Sequence, residues 1–301
     1  MNTSAQPPRE RWEEVFRNVT ASAAQDACSA PLRGYFRLAE FGLGSRLNNF
    51  ANEVLMAMYT GRPMALCAPP AQVRDTWAVQ FQNPGFHYCD SCGSPAGRAP
   101  QEFFAGAYVS SIEDRDRLVA MKHFLYKRLF QVNASVQAAA ARLSQDLGLD
   151  GQPYVAVHIR RGDKYSASSE HAQRTAIDTF AKEVRQLSQG VNASRVFVAS
   201  DSAAAINELR QALDADLTVV TQPRLPPRTY AIRNMVHEAP ESTMDSIELN
   251  LLQDLLLLAN GTAFVGTASS NIGRFIFYMR GPNAGPTISV DDGGDFLARN
   301  C

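Results

Sequence analysis

Short runs of apolar residues alternate along the chain with longer segments in which apolar residues stand three or four positions apart. The clearest run covers residues 154–159 and is interrupted only by His158. Such a run is typical of a strand that is buried on both faces of a parallel sheet. Further strands are predicted at 196–199, 217–220 and 263–265, and helices at 177–186, 203–213, 244–259 and 271–278. The alternation predicts an α/β fold whose ligands bind at the carboxyl ends of the strands.

The first half of the chain shows the same alternation over a shorter stretch. A strand is predicted at residues 35–38, a glycine-containing turn at 42–45 and a second strand at 64–68. Between the turn and the second strand, six apolar residues at helical spacing predict a helix. They are Leu47, Phe50, Ala51, Val54, Leu55 and Met58. Residues 118–147 also carry a largely helical pattern.

A length of 301 residues exceeds what one hydrophobic core usually serves, so we expect two domains or one elaborated α/β domain. The turn-forming segment 148–153 is the predicted boundary. The predicted organisation is a polar lead-in with one short helix at 1–32, an N-terminal α/β domain at 33–150 and a Rossmann-like domain at 151–301. Residues 69–118 are punctuated by proline and glycine and are predicted to form an irregular insertion in the N-terminal domain.

The charge balance limits the classes of partner. The formal net charge is −1, with 20% charged and 45% hydrophobic residues, so no global field attracts nucleic acid or an anionic membrane. The longest apolar stretch, Leu249–Ala259, contains polar residues and is too short to cross a bilayer. We therefore expect no nucleic-acid partner and no membrane segment in this chain.

The compartment is predicted only conditionally. Residues 1–10 lack the apolar core of a signal peptide, which fits a trimmed luminal domain or a protein that is soluble in its native compartment. Five sequons would suit a secretory lumen, and they stand at Asn2, Asn18, Asn133, Asn192 and Asn260. We expect the Golgi lumen if the protein is eukaryotic and the cytoplasm if it is bacterial.

Cysteine and histidine residues do not form a pattern that predicts a metal site. The chain has five cysteines, an odd number that is too small for a disulfide scaffold. Cys89 and Cys92 lie near His87, but a structural zinc site takes four ligands and the chain has no second cysteine pair at such spacing. We predict no metal and no cofactor.

The strongest chemical signal is the segment His158-Ile-Arg160-Arg161-Gly-Asp163-Lys164, which follows the predicted central strand. Three cationic side chains stand there within five positions. Arginine offers a planar fork of donors that suits phosphate oxygens, and it stays charged. A pyrophosphate leaving group needs such cations, because negative charge accumulates on it as its bond breaks. The structural alternative is an ion pair between either arginine and Asp163.

Two predicted helices begin with segments that suit an anion. The turn at 42–45 precedes the first of them, and Thr267-Ala-Ser269-Ser270-Asn271 opens the last one. Backbone N–H groups and the helix dipole favour negative charge at such positions. A plain tight turn and ordinary capping residues are the alternatives.

Two acidic residues complete the set of candidates. Asp254 lies in a helix that is apolar on almost every side, so its carboxylate needs partners, and the N–H groups of a guanine would supply them. A solvated or internally satisfied carboxylate is the alternative. Asp201 follows Ser200 at the end of a predicted strand and is either a helix cap or part of a site.

In this order along the chain, these segments resemble the fucosyltransferase superfamily over residues 34–280. The resemblance is closest to the α1,6-fucosyltransferase branch, which includes eukaryotic core enzymes and bacterial nodulation enzymes, and the arginine segment is also similar to the α1,2 branch. It implies two facing Rossmann-like domains, a GT-B-like arrangement with the donor site mainly in the C-terminal domain. It also implies inverting, metal-independent transfer of fucose from GDP-fucose to a glycan or glycoprotein hydroxyl.

The resemblance also assigns roles to individual residues. Arg160 would hold the β-phosphate of GDP-fucose, and His158 and Asp254 would face the guanine. Lys164 would lie near the reacting centre. The remaining predicted donor-binding residues are Gly44, Ser45, Arg161, Ser269 and Ser270.

The general base is where this sequence departs from the family. Ser168 stands where the α1,6 branch has a glutamate, and the nearest carboxylate is Glu170. Glu170 and Asp163 are therefore both candidates for the base. Three alternatives stay open: an α1,2-fucosyltransferase, a protein O-fucosyltransferase, and a non-catalytic nucleotide-sugar-binding or glycan-binding protein of the same fold.

Overall fold

The computed structural model describes residues 8–20, 32–35, 43–61, 64–67, 81, 88–89, 115–161, 175–213, 215–223, 241–291 and 296. Their contacts divide the chain into two compact units. The first unit comprises residues 1–133 with 300–301, and the second comprises residues 134–299.

The first unit is built on a parallel sheet. Its strands β1 (Leu32–Tyr35), β2 (Met64–Cys67) and β3 (Tyr88–Cys89) lie in the order β1-β2-β3. Its helices are α1 (Trp12–Thr20), α2 (Leu43–Thr60) and α3 (Arg115–Leu129). The succession β1, α2, β2 confirms a strand, a helix and a strand in this order. β1 ends at Tyr35, where the predicted strand begins, and α2 begins at Leu43, within the predicted turn at 42–45. All six apolar residues that predicted α2 are buried.

Helix α1 lies within the predicted polar lead-in, yet it contributes to the core of the first unit. Trp12, Phe16 and Val19 form its buried face. The ring of Phe124 on α3 lies 5.9 Å from that of Trp12 and 6.2 Å from that of Phe16. Apolar residues at positions 12, 16 and 19 stand one helical turn apart, which explains why one face of this short helix is buried.

The second unit contains a five-stranded sheet in which every pairing is parallel, in the order β6-β5-β4-β7-β8. Its strands are β4 (Tyr154–Ile159), β5 (Arg195–Ser200), β6 (Thr218–Val220), β7 (Ala263–Gly266) and β8 (Thr287–Ser289). Its helices are α4 (Ala134–Asp146), α5 (Ile177–Gly190), α6 (Ala203–Ala212), α7 (Glu241–Asn260) and α8 (Asn271–Arg280). The α/β prediction is confirmed for both units.

The two faces of the sheet carry different layers, because successive side chains on β4 point to opposite sides. Val155, Val157 and Ile159 pack with α5 and α6 in one apolar core. Tyr154 points to the other face, where its hydroxyl donates to the carbonyl oxygen of Leu257 on α7 at 2.6 Å. His158 shares this second face with Tyr154.

The division between the units lies at Asn133/Ala134 rather than at the predicted position near residue 150. Helix α4 packs against α7 and therefore belongs to the second unit. The predicted continuous helical stretch at 118–147 is two helices, α3 and α4, separated by residues 130–133. Strand β8 was not predicted. Among the described residues, no helix combines the length and apolarity needed to cross a membrane.

A buried arginine fastens the amino ends of the strands in the second unit. The guanidinium of Arg280 donates to the carbonyl oxygens of Ala259 at 3.3 Å, Thr262 at 3.3 Å and Ala284 at 2.5 Å, and to that of Gly261. Its Nε donates to the hydroxyl of Thr287 at 3.0 Å. Burial lowers the pKa of this residue to about 10, so it stays charged at neutral pH.

Replacing Arg280 with methionine should lower the free energy of unfolding by about 3 kcal/mol, because buried carbonyl groups lose their donors. Urea denaturation checks the value. The matched control is Arg210→Met on α6, where an exposed guanidinium contacts the side chain of Asn207 at 3.0 Å. Equal free energies of unfolding for the two variants would contradict the stabilising role of Arg280.

Candidate functional site

The order of the strands predicts a ligand-binding crevice between β4 and β7. From β4 the chain proceeds outward through β5 and β6, then returns across β4 to form β7 and β8. Consecutive connections on the two sides of β4 therefore leave the sheet in opposite directions. Ligands of open α/β sheets bind at such a switch point, outside the carboxyl ends of the strands. Residues 160–161 and 267–270 follow the two strands at this point.

His158 is the last but one residue of β4, and its side chain is 6% exposed. Burial lowers its pKa to about 4; Asp201 opposes this shift and Arg160 adds to it. The imidazole is therefore neutral at pH 7. Its Nδ1 atom has no hydrogen-bond partner among the residues that the structure describes. Buried polar atoms in proteins are normally satisfied, so an orphaned ring nitrogen at a switch point indicates a ligand.

Arg160 follows β4 directly and forms an ion pair with Asp201, which follows β5. The arginine side chain is 22% exposed, so its guanidinium is reachable from solvent. Asp201 also accepts a hydrogen bond from the backbone N–H of Arg161 at 2.8 Å. The carboxylate thus connects the loops after two neighbouring strands. A guanidinium carries five N–H donors in a planar fork, a geometry that suits carboxylate and phosphate oxygens.

Arg160 thus forms an ion pair with Asp201. Asp163, the partner in the alternative that the sequence left open, lies outside the described residues, so that alternative stays a prediction. Asp201 holds Arg160, and the helix cap of α6 is Ser202, whose hydroxyl accepts from the N–H of Ala205 at 3.3 Å. Asp201 is thus not the cap of α6, and its carboxylate instead holds the segment that follows β4.

Arg161 takes a different direction from Arg160. Its guanidinium contacts the carboxylate of Glu208 on α6 at 2.5 Å. Glu208 lies on α6, the helix that follows β5. It is therefore on the side of β4 away from the switch between β4 and β7. The two arginines thus have different partners: Arg160 pairs with Asp201, which follows β5, and Arg161 pairs with Glu208 on α6.

The turn between β7 and α8 supplies the second side of the crevice. Ser270 occupies the N-cap position of α8 and is buried, but its hydroxyl makes no capping hydrogen bond. The first amides of an α-helix have no acceptor within the helix. The hydroxyl of Ser269 instead donates to the carboxylate of Asp291. Asp291 is not among the residues predicted from the sequence, and the signal for it is the run Thr287-Ile-Ser-Val that precedes it.

Asp254 lies on α7 and is 1% exposed. Helix α7 ends just before β7 begins, so it runs antiparallel to the strands. Asp254 stands one turn before Leu257, which Tyr154 contacts, and so lies about 4.5 Å nearer the carboxyl edge. Its neighbour Gln253 accepts a hydrogen bond at 2.7 Å from Gln222, a residue just beyond β6. The carboxylate therefore lies in the layer that covers the face of the sheet to which His158 points.

Some predicted site residues are not brought together by these observations. Gly44 is buried near the start of α2 in the first unit, and the side chain of Ser45 lies outside what the structure describes. Lys164 and Glu170 fall outside the described residues, as does Asp163. In the part of the chain that is described, no three His, Cys, Asp or Glu side chains are grouped to hold a metal ion.

The arrangement has the chemistry of a site for a nucleoside diphosphate. A guanidinium and the beginning of α8 offer charge and donors to phosphate oxygens. A neutral imidazole and a buried carboxylate offer directed hydrogen bonds to a base. These groups come from the ends of β4 and β7 and from α7, three elements of one sheet and its covering layer.

No family model matches the chain, and no curated protein matches it significantly. Solved structures do match. Fucosyltransferase NodZ from Bradyrhizobium gives a TM-score of 0.51 at 14% identity, over 87% of this chain and 94% of that chain. NodZ alpha-1,6-fucosyltransferase soaked with GDP-fucose gives 0.51 at 14% identity, over 85% and 93%. A variant of Arabidopsis thaliana FUT1 in complex with GDP gives 0.54 at 11% identity, over 93% and 77%. The chain therefore has the fold of these fucosyltransferases.

Proposed function

We propose that this chain, which has a fucosyltransferase fold, transfers fucose from GDP-fucose to a hydroxyl of a glycan or glycoprotein. The fold match includes a protein described as an alpha-1,6-fucosyltransferase soaked with GDP-fucose. Linkage of the α1,6 type is favoured because the resemblance of the sequence motifs is closest to that branch. The donor site in this proposal is the crevice between β4 and β7.

One observation carries the proposal: a buried, neutral His158 with an orphaned Nδ1 stands two residues before Arg160 at the switch point of the sheet. A structural histidine in a core normally has both polar atoms satisfied. A cation next to it, held by Asp201 and reachable from solvent, suits a ligand that carries both a base and phosphates. GDP has this combination of groups.

In the proposed reaction, an acceptor oxygen attacks the anomeric carbon of fucose as the bond to the β-phosphate oxygen breaks. The bonding electrons pass to the phosphate, where Arg160 and the donors at the start of α8 stabilise the developing charge. The proton of the acceptor hydroxyl passes to a carboxylate, for which Asp163 and Glu170 are the candidates, with Lys164 close to the reacting centre. Attack from the face opposite the leaving group inverts the anomeric centre.

The proposal also covers the organisation of the protein. It includes a GT-B-like fold of two Rossmann-like units and a donor-binding role for Gly44 and Ser45. The Golgi lumen is proposed as the compartment of a eukaryotic protein, and the cytoplasm as that of a bacterial one. Exposed sequons at Asn18 and Asn192 are compatible with the lumen.

Transfer should be insensitive to removal of divalent metal ions, because a guanidinium and helix N–H donors neutralise the leaving group in this scheme. The measurement is the initial rate with and without excess EDTA, at a fixed ionic strength. Full activity is expected under both conditions. A strict requirement for added metal would point to a different class of glycosyltransferase.

The test of the function is transfer of labelled fucose from GDP-fucose to a broad panel of glycans and glycoproteins. Product linkage analysis distinguishes α1,6 from α1,2 transfer and from O-fucosylation of protein. Binding of GDP without transfer to any acceptor would favour a non-catalytic binding protein, the alternative suggested by Ser168 at the position of the family's glutamate. Absence of both binding and transfer would contradict the proposal.

A further inference from the structure

The carboxylate of Asp291, just beyond β8, is buried and accepts four hydrogen bonds. The backbone N–H of Ala268 donates to Oδ1 at 2.6 Å, and that of Ser269 donates to Oδ2 at 3.2 Å. The hydroxyl of Ser289 donates to Oδ1 at 2.7 Å, and the hydroxyl of Ser269 donates to Oδ2. All but one of these donors belong to the turn between β7 and α8.

A buried cation holds the same turn from the other side. Arg274 on α8 donates to the carbonyl oxygen of Ala268 at 2.6 Å and to the side-chain oxygen of Asn271 at 2.6 Å. The carbonyl of Ala268 and the N–H of Ser269 belong to one peptide group. Arg274 and Asp291 therefore bind its two ends and polarise it in the same sense, which strengthens both contacts.

Close packing fixes the third side of the turn. A Cβ atom at Gly273 would lie 2.1 Å from the carbonyl oxygen of Thr267, a contact that no real side chain can make. The first turn of α8 thus rests directly on the backbone of the turn. The segment 267–270 has contacts with a carboxylate, a guanidinium and a helix backbone, so its conformation is set before any ligand arrives.

We propose that Asp291 is a positioning residue for the donor diphosphate, an inference that rests on the proposed function. By engaging the N–H groups of Ala268 and Ser269, it determines which groups of the turn face the crevice. Those groups are the hydroxyl of Ser270, which caps nothing, and the first amides of α8. A carboxylate near phosphate is tolerated here because four donors satisfy it.

Asp291→Asn tests the role with almost no change in volume. Asparagine has one acceptor oxygen. Its amide nitrogen, which is a donor, would therefore face the N–H or hydroxyl of Ser269, which are donors to the carboxylate. We expect the dissociation constant of GDP, measured by calorimetry on the full chain, to rise about tenfold, which corresponds to about 1.4 kcal/mol. The Michaelis constant of the acceptor should not change. Hydrogen exchange without ligand should quicken at Ala268 and Ser269 and not in β4.

The control is Arg280→Lys, which loosens the amino ends of the same strands and loses stability without touching the turn. Compared at a temperature at which both variants are folded, it should bind GDP like the unchanged protein. If Asp291→Asn binds GDP within twofold of the unchanged protein, or if Arg280→Lys loses as much affinity, the positioning role is wrong. If the unchanged protein does not bind GDP, the proposed function fails and this inference fails with it.

Discussion

Arg160→Ala should lower the rate of fucosyl transfer by about a hundred- to a thousandfold, because the leaving phosphate loses a preorganised charged donor. Arg160 is 22% exposed and pairs with the buried carboxylate of Asp201, so its removal should also lower the unfolding temperature. The loss of transfer should be measured at a temperature at which the variant is folded, so that it is separated from the loss of stability. Initial rates at saturating and subsaturating GDP-fucose, together with the thermal midpoint, measure both effects.

Two matched variants sharpen this prediction. Arg161→Ala removes a guanidinium of the same segment, but one that is paired with Glu208, so it should lower transfer about tenfold or less. Arg160→Lys keeps the charge and loses the planar fork, so it should restore only part of the activity. Activity near that of the unchanged protein in Arg160→Ala would refute the assignment of the donor site.

Asp254→Asn should weaken GDP binding by about a hundredfold, or about 2.7 kcal/mol, because a carboxylate that accepts two hydrogen bonds from guanine is lost. The nucleotide pair that reports on this contact is GDP and IDP, since inosine lacks the exocyclic amine. The unchanged protein should prefer GDP by about tenfold, and the variant should bind both nucleotides alike.

The control for this residue is Asn250→Ala on the same helix. Asn250 accepts a hydrogen bond from Gln222 at 3.2 Å. Gln222 also donates to Gln253, the neighbour of Asp254. Its loss should lower stability and leave the ratio of GDP to IDP affinity unchanged. An unaltered preference in Asp254→Asn would remove this carboxylate from the guanine pocket.

The sequence predicted the elements whose signal is local. The run 154–159 is strand β4 with the same bounds, because a strand buried on both faces is apolar at nearly every position. Strand β8 was missed because it has three residues and lies between a glycine-rich turn and a pair of aspartates. Its placement at the sheet edge depends on pairing with β7, which no local pattern encodes.

The candidate site was predicted in its residue types and only partly in its contacts. The sequence pointed to the arginine segment, but the partners Asp201 and Glu208 lie 41 and 47 positions away and meet it only through the parallel register of β4 and β5. Asp291 likewise meets the turn before α8 through the parallel register of β7 and β8. Charge pairing across a sheet follows from topology, and the sequence shows only that charges of both signs are present.

The division of the chain illustrates a further limit. The predicted boundary is the glycine-containing turn at 148–153, because it separates a helical stretch from the apolar run at 154–159. Helix α4 lies before that turn and still packs on α7, more than a hundred positions later. Apolar residues such as Val136, Ala140 and Leu143 show that α4 buries one face, but they do not show which partner covers it.

The most direct test of a GDP-fucose site is the thermal midpoint of the full chain with GDP, UDP, CMP and no ligand. A ligand that binds only the folded state raises the midpoint by mass action, by about 2.7 kcal/mol of stability at a hundred times its dissociation constant. The account predicts a rise with GDP and none with UDP or CMP. No rise with any of the three nucleotides would mean that His158 and Arg160 do not form a donor site, and would contradict the account.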